Sequence, residues 1–204
     1  MSDNIRSSTA KLLIGAFEPF GGRRDNRALR AARRLIGQRV DGIGVEIATL
    51  PVVFAALAGR VGDLLGQRPR ALVLVGESHL ARRILVERIA LNLADARSTD
   101  NAGARPRNQT IVEGGPLARA TRVDVRALAE EVARGGVDCG ASSHAGTFCC
   151  NAAYYHALQQ TSEGGPPIVF IHVPSQRPWA DDHAAARALT IIGATLLREP
   201  AAGR

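Results

Sequence analysis

Across residues 11–173 the chain alternates short apolar runs of strand length with longer stretches whose apolar residues recur at helical spacing. That alternation constrains the fold more than any other feature, because it demands an α/β architecture with a largely parallel sheet. Residues 71–75 are the clearest strand: a continuous apolar run closed by Gly76, as expected where helices cover both faces of a sheet. Residues 11–14 (running into Gly15), 45–50 (stopped by Pro51), 86–93 and 167–173 (stopped by Pro174) read as further strands. Helices are expected from the cap Asn26 to about Gln38, and over residues 52–65, 123–134, 151–160 and 181–198. The expected fold is a single-domain α/β/α sandwich with a twisted, mostly parallel central sheet. It occupies residues 11–204, after a flexible N-terminus over 1–10. With 204 residues, the chain can bury a core without disulfide or metal staples.

Residues 94–121 break the pattern. They hold Gly103, Pro106, Gly114, Gly115 and Pro116 with few apolar residues, and read as a long functional loop. The formal charge is +7, which raises the question of a nucleic-acid partner. Lys11 is the only lysine, however, and the arginines are scattered, with short clusters at Arg23-Arg24, Arg33-Arg34 and Arg82-Arg83. A basic, non-catalytic binding module is therefore the weakest of the readings below. Cys139, Cys149 and Cys150 form neither a disulfide framework nor a zinc pattern. No signal-like or membrane-spanning run is present, so a cytoplasmic protein with no membrane partner is expected.

Four segments carry chemistry. In Ser143-His-Ala-Gly-Thr-Phe-Cys-Cys-Asn151 a small-residue turn delivers two cysteines to the mouth of a helix, where the dipole favours a nucleophilic thiolate. His172 lies at the end of the apolar run Ile168-Val-Phe-Ile-His-Val-Pro174 and is a candidate general base. Glu87 interrupts the apolar stretch Val86-Glu-Arg-Ile-Ala-Leu-Asn92, where a carboxylate could orient that histidine. The blander alternatives are buried cysteines acting as small hydrophobes, a satisfied core histidine and a Glu87–Arg88 surface pair. The fourth segment, Gly15-Ala-Phe-Glu-Pro-Phe-Gly-Gly22, follows the first strand but matches no phosphate-binding fingerprint. Phe17 and Phe20, exposed on that loop, would suit a flat hydrophobic ligand.

Taken together, these segments resemble pyroglutamyl peptidase I, the pyrrolidone carboxyl peptidase family of cysteine peptidases. The resemblance runs from Leu12 to about Pro174. It rests on Phe-Glu-Pro-Phe-Gly-Gly followed by Asn26, on Glu87-Arg-Ile-Ala-Leu-Asn92, on Asp95-Ala-Arg97 with Asp100-Asn101, on Ala145-Gly-Thr-Phe-Cys-Cys-Asn151, and on Phe170-Ile-His-Val-Pro174. It implies Cys150 as nucleophile, His172 as base and Glu87 as orienting carboxylate, with Cys149 a core neighbour. It also implies that Phe20 and Phe148 sandwich the lactam ring and that Asn26 supports the Phe20 loop. Arg97 and backbone N–H groups near Cys150 would stabilise the oxyanion. The implied substrate is a small peptide or amide bearing an N-terminal 5-oxoproline. No metal or organic cofactor is implied, and a homo-oligomer, a tetramer, is.

The departures cluster after the third strand, where a Gly-Gln-Ala-Gly-Gly-Arg-type loop is replaced by Gly76-Glu-Ser-His-Leu-Ala-Arg82. Glu77 falls on the glutamine whose counterpart contacts the lactam, largely through its backbone. Ser98 stands where an apolar pocket residue is usual. Leu85 replaces a Ser or Thr, and His144 a smaller residue. The alternative is therefore an amidase with the same three catalytic groups acting on a different small lactam or amide.

Overall fold

The alternation along each central strand feeds two separate cores. In the computed structural model, which describes residues 10–199, strand β1 (Lys11–Phe17) sends Leu12, Ile14 and Ala16 to one face and Leu13 and Phe17 to the other. Strands β4 (Ala71–Ser78) and β8 (Ile168–Pro174) divide in the same way, Val73, Val75, Val169 and Ile171 against Leu72, Leu74, Ile168 and Phe170. Three helices, α1 (Arg27–Arg33), α3 (Val125–Arg134) and α5 (Asp182–Arg198), cover the first face. Two more, α2 (Phe54–Gly66) and α4 (Cys149–Gln160), cover the second. Strands buried on both faces need apolar residues at every position, which is why they read as continuous runs.

The sheet is completed by β2 (Arg39–Val40), β3 (Ile43–Leu50), β5 (Ile84–Leu91), β6 (Ala118–Ala120) and β7 (Cys139–His144), in the order β2-β3-β1-β4-β8-β5-β6 with β7 paired to β5. Strands β3, β1, β4 and β8 run parallel. Strand β5 is antiparallel to β8, and β7 is parallel to β5. The start of β5 therefore meets the carboxyl ends of β4 and β8, where open α/β sheets place their sites. No helix among the described residues is long and apolar enough to cross a membrane.

Several boundaries differ from expectation. Strand β1 runs to Phe17, so Phe17 is not exposed on a loop: it is 2% exposed and packs on Phe170, ring centroids 6.4 Å apart. The first helix ends at Arg33 and gives way to turns instead of reaching Gln38. The 94–121 stretch is not wholly loop, since it contains β6 and a bridge between Ala94 and Gln109. The flexible segment expected over residues 1–10 lies outside the described residues except for Ala10.

Candidate active site

Helix α4 starts at Cys149, and its cap residue Phe148 makes no side-chain capping hydrogen bond. Its first-turn N–H groups thus have no side-chain acceptor, and Cys150 is itself in that first turn. Asn151, fully buried, fixes this helix mouth. Its Nδ2 donates to the Leu91 and Leu93 carbonyls at 2.9 and 3.0 Å, and its Oδ1 accepts from the Leu91 N–H at 2.8 Å. Thr147 Oγ1 donates to the Asp95 carbonyl at 2.8 Å, tying the preceding turn to the chain beyond β5.

The three cysteines have different environments. Cys149 is buried in the second core, and burial pushes its thiol far up. Cys139 is also buried, and its thiol is pushed up to about 11. Cys150 is half-buried and lines the cavity.

His172 hydrogen-bonds Glu87 Oε1 through Nδ1 at 2.7 Å, and its ring packs on Phe170 with centroids 4.9 Å apart. Glu87 is buried, and its other oxygen, Oε2, has no partner. Burial disfavours a charged His172, but hydrogen bonds to Cys150 and Glu87, and the charge of both groups, outweigh it and raise its pKa to about 10. The imidazole therefore holds a proton at neutral pH.

A cavity of about 450 Å³ opens over these groups, and all ten residues singled out in the sequence line it: Cys150, His172, Glu87, Phe17, Phe20, Asn26, Glu77, Arg97, Ser98 and Phe148. The rings of Phe20 and Phe148 stand 6.1 Å apart, tilted by 41°. Asn26 caps α1 by accepting from the Ala28 N–H at 2.9 Å, and donates to the Glu18 carbonyl at 3.1 Å, holding the Phe20 loop. The Glu77 carboxylate turns to the start of α1: Oε2 accepts from the Arg27 N–H at 2.9 Å, and both oxygens meet the Arg23 guanidinium. Its charge is thereby matched.

Sequence reasoning missed Phe54, which meets Phe148 edge-on at 5.4 Å and holds that ring from behind. A lone aromatic after a proline carries no signal of such a role. It also missed Leu80, His79 and Ser142, which line the cavity as well. Among the described residues no group of three or more His, Cys, Asp or Glu is placed to hold a metal ion.

Residues 10–188 match the model of the family described as pyroglutamyl peptidase. A pyrrolidone-carboxylate peptidase of Cupriavidus necator is 37% identical over 167 residues, covering 80% of this chain and 77% of the relative. One from Levilactobacillus brevis is 36% identical, covering 80% and 81% respectively. Among solved structures, the pyrrolidone carboxyl peptidase of Thermus thermophilus superposes with a TM-score of 0.83 at 31% identity, covering 90% of this chain and 98% of its own. Pyroglutamyl peptidase I of Bacillus amyloliquefaciens gives 0.84 at 31% identity, covering 92% and 97%.

Proposed function

The chain belongs to the pyroglutamyl peptidase family, and from that premise we propose that it hydrolyses the amide bond after an N-terminal pyroglutamyl residue, using Cys150, His172 and Glu87. The observation that carries the assignment of roles is the position of His172. Its ring takes the Glu87 carboxylate at 2.7 Å on Nδ1 and interacts with the Cys150 thiol, inside a cavity faced by Phe20 and Phe148.

The Cys150 thiolate attacks the pyroglutamyl carbonyl carbon, and the oxyanion that forms is met by first-turn N–H groups of α4 and by Arg97. The C–N bond then breaks as His172 gives its proton to the leaving amine. This releases the shortened peptide and leaves a thioester on Cys150. Water, losing a proton to His172, attacks the thioester and frees pyroglutamate and the thiolate. Glu87 holds the imidazole in the tautomer and orientation this requires and balances its charge. Phe20 and Phe148 bind the flat lactam between their faces. The paired Glu77 carboxylate adds no free charge to the pocket, which favours the lactam reading over a differently charged amide.

The reading includes a cytoplasmic, reducing compartment, which suits a thiol nucleophile beside two further free cysteines, and a homo-oligomer, a tetramer by family resemblance. Release of fluorophore from pyroglutamyl-7-amino-4-methylcoumarin by the wild type but not by Cys150→Ala tests the central claim. Silence from both proteins would overturn it.

A further inference from the structure

The chemistry above dictates where the departing half of a substrate must lie. His172 has to protonate the leaving nitrogen, so that atom comes within about 3 Å of the imidazole. The side chain of the residue attached to that nitrogen then falls against whatever flanks His172. Leu85 is the cross-strand partner of His172 in the antiparallel β5–β8 pair, and residues directly opposite share a face of the sheet. Both line the cavity. The aromatic end lies on the other side of β4: Phe20 follows β1, and Phe148 packs on Phe20 and on Phe54 at the start of α2, which follows β3, whereas Leu85, Ser142 and His144 come from β5 and β7, beyond β8. The cavity thus has a second end past Cys150.

Leu80, in the loop between β4 and β5 that leads into the strand carrying Leu85, lines the same cavity. It is 75% exposed, and among the described residues the other exposed large hydrophobics are Ile36, Leu117 and Trp179. Of these four, Leu80 alone lines the catalytic cavity. The remaining lining groups from β5, β7 and the loop before β5 are Ser142, His79, His144 and Glu87, and the Glu87 carboxylate is engaged by His172. No lysine or arginine, and no carboxylate other than that of Glu87, lines the cavity from these elements.

We propose that Leu80 and Leu85 form a subsite for the leaving side of the substrate, selecting peptides whose residue directly after pyroglutamate carries an apolar side chain. This rests on the peptidase reading and specifies its substrate class. The motif departure His79-Leu80 thereby gains a role: it places an apolar side chain where the second residue of a peptide would cover it.

The test compares pyroglutamyl-leucine amide with pyroglutamyl-alanine amide. The extra methylenes, partly covered by Leu80 and Leu85, predict a roughly tenfold higher kcat/KM for leucine in the wild type. Leu80→Ser is expected to lower that ratio to about twofold, whereas Leu80→Met preserves it. Because the ratio is taken within one protein sample, partial misfolding cancels. Leu117→Ser, altering a leucine outside the cavity, is expected to leave the ratio intact. A wild-type ratio near one overturns the subsite, as does a tenfold ratio that survives Leu80→Ser. If Leu80 instead contacts a second copy of the chain, Leu80→Ser changes the oligomer size and leaves the ratio alone, which also overturns it. Failure to hydrolyse either amide would sink the peptidase reading itself, and the subsite with it.

Discussion

A Cβ atom added at Gly76 would lie 2.7 Å from the Cys150 sulfur and 3.2 Å from Phe170 Cζ. Gly76, which the sequence marks as a strand end, lies inside β4 instead and forms the floor beneath the Cys150 sulfur, which occupies the space a side chain there would fill. Gly76→Ala would move the sulfur off its line to the scissile carbonyl. A displacement of about 1 Å costs on the order of a hundredfold, so kcat is expected to fall at least that far while circular dichroism stays native. A Gly76→Ala enzyme working near the wild-type rate would show that the sulfur has room to spare.

His172 should set the alkaline limit of activity. Its raised pKa means that the proton needed by the leaving amine stays in place through neutral pH and is lost as pH approaches about 10. The sign for stability is the same: a histidine raised above its ordinary 6.5 contributes fully below that value, and its contribution fades as pH rises through about 10. Glu87→Gln removes one of the two partners that hold the proton. The alkaline limb of kcat/KM is then expected to move down toward neutral pH, with a lower plateau. A limb that stays fixed in Glu87→Gln would detach it from His172.

Alkylation should single out one thiol. Cys149 is 1% exposed and Cys139 9% exposed, both with thiols pushed up by burial. Iodoacetamide at neutral pH is therefore expected to add one group to the folded protein, on Cys150, and up to three after unfolding. Peptide mapping by mass spectrometry reads this directly. Early labelling of Cys149 would reverse the assignment of the two adjacent cysteines.

The parts of this site legible in the sequence were those in which chemistry interrupts a pattern. His172 and Glu87 stand out because they break apolar runs, and Cys150 because a Gly-containing turn delivers it to a helix. The parallel sheet was legible for the same reason, since residues 71–75 and 168–171 can only be strands buried on both sides. Strand β7, Cys-Gly-Ala-Ser-Ser-His, was not legible: it has no β-branched or large apolar residue, and its place is set by pairing with β5. Phe17 reads as a loop residue because Gly15 resembles the start of a loop motif, whereas β1 carries on through it. Phe54 and Leu80 reach the site only through tertiary packing, which no local spacing encodes.

Phe20 and Phe148 should part when substrate binds. A ring held between two others needs about 7 Å between the outer faces, two contacts of roughly 3.5 Å, and their centroids stand at 6.1 Å. Phe148 is held from behind by Phe54, so the Phe20 loop, followed by Gly21 and Gly22 with φ of +63° and +75°, is the side that yields. Phe20→Ala is expected to raise KM about tenfold or more with a smaller change in kcat, because the lactam loses one face. An unchanged KM would place the lactam elsewhere in the cavity.

Glu77 separates the needs of the fold from those of the pocket. Its carboxylate accepts the Arg27 N–H at the start of α1 and pairs with Arg23, whose side chain is 41% exposed, so solvent screening leaves the ion pair itself little weight. The hydrogen bond to the part-buried amide matters more, and a glutamine can still make it. Glu77→Gln is therefore expected to keep stability and KM close to wild type. Glu77→Ala leaves the amide without an acceptor and is expected to cost roughly 1–3 kcal/mol in urea unfolding, with a higher KM as the Phe20 loop loses its anchor through Arg23. If Glu77→Gln instead weakened binding of pyroglutamyl substrates as much as Glu77→Ala does, the negative charge would be acting on the ligand, and the carboxylate would have to turn into the cavity when substrate is bound.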